Sequence, residues 1–114
     1  MPKRRERVAP PPKKGGWDFR YVTGNAISGW EKICAAAPGP ARTAWEHITD
    51  DPLDRSARQH PLKGSLGSRE VNGKSLEQWQ YEVTGAGRIW YVIDEAKRVI
   101  WMTDASPGHP KATE

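Results

Sequence analysis

The sequence predicts one α+β domain, and three observations carry that prediction. Residues 17–22 form a short aromatic strand, residues 27–50 carry two amphipathic stripes divided by Pro38-Gly39-Pro40, and residues 78–103 hold three apolar strands joined by tight turns. One strand, then two helices, then consecutive strands place a helical hairpin on one face of a largely antiparallel sheet. A chain of 114 residues suits a single unit, since domains typically hold about 100–150 residues.

The first 16 residues stand apart from this domain, which is taken as 17–114. They combine a charge run, Pro10-Pro11-Pro12 and Gly15-Gly16 with one large aliphatic side chain, Val8. Such a composition buries too little apolar surface to offset its ordering entropy, so residues 1–16 are expected to be a disordered basic tail with a short polyproline stretch. Two roles fit it: an electrostatic arm for nucleic acid, or a solubilising extension. Six of its side chains are cationic and one acidic, a net of +5, whereas the remaining residues hold 12 Lys or Arg against 13 Asp or Glu, a net of −1. The basic character of the whole chain therefore resides in the tail, and the folded part can meet nucleic acid only through a local patch.

Along the domain each element has its own signature. In residues 17–22, Trp17, Phe19 and Tyr21 alternate with polar positions, and Thr23-Gly24-Asn25 supplies turn and helix-cap chemistry. Ile27, Trp30, Ile33, Cys34 and Ala37 recur at helical spacing, and after the proline break so do Ala41, Ala44, Trp45 and Ile48, up to Asp50-Asp51-Pro52. Residues 53–68 are polar and read as a surface loop. Asn72-Gly73 marks a two-residue hairpin turn, because both positions of that turn need positive φ. In residues 78–83 the alternation is strict: Trp79, Tyr81 and Val83 share a packed face, and Gln78, Gln80 and Glu82 a solvated one. Residues 88–93 and 99–103 continue the meander, with Arg88, Trp90 and Val92 opposite Ile89, Tyr91 and Ile93. Most of the six tryptophans are core by position.

Several function classes drop out. The single cysteine, Cys34, lies on a helix's apolar stripe and reads as a small core residue in a reducing compartment. No apolar run approaches the roughly 18 residues of a membrane span, and the basic N-terminus lacks the apolar stretch of a secretory signal, so a cytoplasmic protein is expected. No His or Cys spacing suggests a metal site, His47 and His60 read as structural or surface residues, and no cofactor is expected.

Three local motifs, in order, carry a resemblance. They are Pro61-Leu62-Lys63-Gly64 before the sheet, then Gly87-Arg88-Ile89-Trp90-Tyr91-Val92-Ile93-Asp94, a strand opened by a cation after a glycine turn, and finally Gly108-His109-Pro110-Lys111. Over residues 17–111 the chain resembles the RelE/ParE superfamily of toxins from bacterial toxin–antitoxin pairs. The resemblance implies an endoribonuclease that drives a 2′-hydroxyl of messenger RNA, free or on the ribosome, onto the adjacent phosphorus, and a partner antitoxin. Such a reaction needs a proton acceptor, a proton donor and cations where charge gathers on phosphate. By resemblance Arg88 is the phosphate clamp, His109 the acid or base, and Glu82 the carboxylate able to serve as general base. Lys63, Lys111 and Arg58 would hold flanking phosphates, and Trp90, on the Arg88 face, would stack on a base. Two other readings stay open: a ParE-like protein acting on gyrase or RNA by contact, and an interaction module with no toxicity.

Overall fold

The computed structural model describes residues 3–8 and 15–108. Its elements follow the order β1 (Asp18–Tyr21), α1 (Gly24–Ala36), α2 (Pro38–Asp50), β2 (Gln59–Pro61), β3 (Ser68–Val71), β4 (Lys74–Glu82), β5 (Arg88–Asp94) and β6 (Val99–Ser106). Tight turns make β4, β5 and β6 an antiparallel meander, and β1 joins its edge parallel to β6, giving the order β1-β6-β5-β4-β2. β3 pairs with the first half of β4, and β2 with the second half.

Local chemistry sets the helix limits. The Thr23 hydroxyl accepts from the Ala26 N–H at 3.0 Å and donates to the Thr103 carbonyl, so one side chain both caps α1 and ties it to β6. Pro38 ends α1 and opens α2, where its missing N–H costs nothing. The two apolar stripes face the sheet as their spacing requires, burying Ile27, Trp30 and Ile33 of α1 and Ala41, Ala44, Trp45 and Ile48 of α2. Gly29 lets α1 approach β6 closely, because a β-carbon there would overlap the backbone carbonyl of Ala105.

The helix-side core gathers Phe19, Tyr21, Trp79, Tyr81, Ile89, Tyr91, Ile100 and Met102 under the hairpin. Trp79 stacks on Tyr91 at 6.3 Å, and the Tyr91 hydroxyl donates to the Pro52 carbonyl while accepting from Gln59 Nε2. All six tryptophans are buried.

Three features depart from the sequence expectation. The second face of β4 is not solvated: Gln78 and Gln80 are 2% and 7% exposed. Cross-strand partners satisfy them, with Thr103 donating to Gln78 and the Trp90 indole donating to Gln80 at 2.9 Å, while Val71 and Leu76 of the β3–β4 hairpin pack with Val92 and Trp101. Alternation assigns residues to faces but does not say what lies over each face. The supposed loop 53–68 contains β2 and a 3-10 turn, Gly64–Leu66, segments too short to show a period. Residues 3–8, read as part of a disordered tail, lie antiparallel to β1. Val8 N–H donates to Phe19 O at 2.6 Å, Tyr21 N–H donates to Glu6 O at 3.0 Å, and Val8 is fully buried.

Candidate functional site

The β4–β5 turn brings two of the predicted residues, Glu82 and Arg88, together. Val83 N–H donates to Gly87 O at 2.9 Å, and the Thr84 hydroxyl accepts from Gly87 N–H at 2.8 Å, which holds residues 83–87 as a tight loop. Antiparallel register then sets Glu82 directly opposite Arg88. Both belong to the face away from the helices, since their neighbours Tyr81 and Ile89 enter the helix-side core. Arg88 Nη2 lies 3.1 Å from Glu82 Oε1, and Nη1 donates to the carbonyls of Thr84 and Gly87 at 3.0 and 3.1 Å. The Arg88 side chain is 7% exposed and that of Glu82 33%. The guanidinium is thus fixed in orientation by a carboxylate and two carbonyls, with Glu82 as its wetter partner.

The remaining predicted residues distribute around this pair. Trp90 is next along the same face, but the residue is 6% exposed and its indole N–H is held by Gln80, so it is not the open stacking platform the sequence suggests. Arg58 is exposed and donates to the Glu82 carbonyl at 3.1 Å, which ties it to the same strand end. Lys63 is exposed but follows Leu62, whose N–H bonds the Gln78 carbonyl. Four residues of β4 therefore separate that level from Glu82, roughly 13 Å of strand. His109 and Lys111 lie outside the described residues; Ser106, the register partner of Arg88, is three positions before His109. Among the described residues no group of three or more His, Cys, Asp or Glu side chains is placed to hold a metal ion, and no helix is long and apolar enough to cross a membrane.

On the helix side of the same strand end the structure opens a cleft of about 600 Å³ between α2 and β4. Pro40, Thr43 and His47 line it from α2, Tyr81, Val83 and Thr84 from β4 and its turn, and Arg58 from the segment before β2. His47 Nδ1 lies 2.7 Å from the Tyr81 hydroxyl. Burial pushes the Tyr81 hydroxyl above its ordinary pKa, and the Arg58 charge pulls the other way. Sequence reasoning set His47 aside. The signal that could have found it is the spacing of positions 40, 43 and 47, a second stripe of α2 flanking the apolar one.

No protein-family model matches the chain, and no curated protein matches it. Among solved structures, it is similar to a chain of the RelBE2 toxin–antitoxin complex from Mycobacterium tuberculosis, with 18% sequence identity and a TM-score of 0.51. The match covers 83% of this chain and 99% of that one. At such identity the likeness is one of fold alone: two helices against a mixed six-stranded sheet, a RelE-like fold.

Proposed function

We propose that the chain is the toxin of a toxin–antitoxin pair, a cytoplasmic endoribonuclease that cleaves messenger RNA and is neutralised by an antitoxin. The observation that carries this reading is the Glu82–Arg88 pair at one end of the helix-free sheet face, within a RelE-like fold. In the proposed reaction Glu82 takes the proton of a 2′-hydroxyl, and the freed oxygen bonds to the adjacent phosphorus. The bond from phosphorus to the 5′-oxygen then breaks, and His109 protonates that leaving oxygen, so the products are a 2′,3′-cyclic phosphate and a 5′-hydroxyl. Arg88 neutralises the charge gathering on phosphate, its fork already oriented by the Thr84 and Gly87 carbonyls. Phosphate reaches the guanidinium as Glu82 swings off it, a motion its one-third exposure allows. Arg58, Lys63 and Lys111 hold flanking phosphates, and the edge of Trp90 borders the bound base.

One observation favours a second reading, action by contact with gyrase or RNA without cleavage. Arg88 is buried and already held by the Glu82 carboxylate and the Thr84 and Gly87 carbonyls, an arrangement that also serves as a staple of the β4–β5 turn. The two readings separate when purified protein is incubated with messenger RNA, with and without ribosomes, and the new ends are mapped. Cyclic-phosphate ends support the nuclease; growth arrest on induced expression with intact RNA supports action by contact. Neither cleavage nor arrest ends both.

A further inference from the structure

We propose that the cleft between α2 and the end of β4 is a second ligand site, one that takes a nucleoside phosphate, either free or as a residue of single-stranded RNA. Its volume of about 600 Å³ falls within the roughly 300–1,000 Å³ usual for small-molecule sites. The lining suits a ligand with one flat apolar part and one anionic part. Pro40 and Val83 supply apolar wall, Arg58 a cation, and Thr43 and Thr84 hydroxyls, while among the described residues no acidic side chain lines the cleft. That charge balance selects an anion and disfavours a cation. With His47 Nδ1 engaged by the Tyr81 hydroxyl at 2.7 Å, the imidazole is fixed in orientation and Nε2 is the nitrogen a ligand can use. Gly39, at the amino-terminal end of the 13-residue α2, also lines the cleft, so the positive end of that helix's dipole adds to the arginine. Arg58 contributes a planar fork matched to phosphate, anchored by its bond to the Glu82 carbonyl.

The inference does not depend on RNA cleavage: the cleft and the Arg88 pair occupy opposite faces of the strand end, and Arg58, which both readings use, borders the cleft whether or not RNA is cut. The test is a titration of the isotope-labelled full chain, followed by nuclear magnetic resonance, with adenosine 5′-monophosphate, with adenosine, and with a short oligoribonucleotide. The expected result is saturable shifts of the His47 ring and of amides around positions 39–47 and 81–84. These arise with the monophosphate or with the oligoribonucleotide, and adenosine fails to produce them. Saturation by the monophosphate identifies a free nucleotide as sufficient, whereas saturation by the oligoribonucleotide alone identifies an RNA residue. Arg58→Ala, an exposed position, should weaken binding at least tenfold and His47→Gln several-fold, while Lys97→Ala, an exposed cation on the β5–β6 turn, leaves it unchanged. Shifts confined to the Arg88 face, equal binding of adenosine, or indifference to both Arg58→Ala and His47→Gln would overturn the proposal.

Discussion

A buried polar side chain is informative through the partners it holds. Arg88 is bound to Glu82 and to two turn carbonyls, so the guanidinium has one orientation and the turn has one shape. Tyr91 is the clearest structural counterpart: its hydroxyl joins the Pro52 carbonyl at 2.8 Å and the Gln59 amide at 2.9 Å, fastening the segment after α2 to the middle of the sheet. Replacing it with phenylalanine leaves those groups buried without that partner, and the expected loss is about 1–3 kcal/mol in urea unfolding, with the fold retained. A loss below about 0.5 kcal/mol would mean the network is replaced by water. Strand alternation made Arg88 and Glu82 legible as neighbours on one face, because period two fixes faces whatever the tertiary context. The burial of Arg88 was not legible, and neither was the role of His47, since a histidine beside an apolar stripe acquires its partner only when β4 brings Tyr81 to it.

At the scale of elements, close approach decides more than propensity does. Gly29 faces β6, where a β-carbon would overlap the Ala105 carbonyl, a backbone atom that cannot rotate away. Gly29→Ala raises helix propensity yet must push α1 off the sheet, and the predicted net effect is a destabilisation of about 1–3 kcal/mol, read from the midpoint of thermal or urea unfolding. A stabilised variant would show that α1 sits farther from β6 than described. The two helices and the three long strands were legible because each carries at least one full period of pattern. The Asn72-Gly73 turn was legible from its chemistry, and both residues do have positive φ, 54° and 78°. β3 was legible as the first arm of that hairpin, whereas β2, of three residues, was not: an element that short owes its existence to β4, which offers it a ladder.

For the molecule as a whole, the edges of the sheet are the exposed liability, and β1 is covered by the chain's own residues 3–8. The cover is pinned by Asp18, which accepts from Arg7 and Arg20 at 2.7 Å each. Burial pushes the Asp18 carboxyl up, but the bonds and charges of the two arginines outweigh it and hold the carboxyl below its ordinary range. A depressed carboxylate stabilises above its unfolded value, about 3.9, and that contribution disappears as pH falls through the folded value. The arm should therefore loosen in acid, below about pH 4, with Val8 becoming accessible, and Asp18→Asn should loosen it at neutral pH as well; hydrogen exchange at Tyr21 and Val8 reads both. Deleting residues 2–8 should raise self-association measured by sedimentation, and an unchanged monomer would show that the β1 edge needs no cover. Composition gave this segment's charge correctly but not its docking, because one buried valine and a run of backbone bonds leave no periodic trace. The account as a whole turns on whether the Arg88 face cuts RNA at a 2′-hydroxyl. The most direct measurement compares cleavage of an oligoribonucleotide with that of its fully 2′-O-methylated twin, using the parent chain and Arg88→Ala matched for folding by circular dichroism. Cleavage of the unmodified strand by the parent alone is the predicted result. Cleavage of the methylated strand, or a folded Arg88→Ala protein as active as its parent, would contradict it.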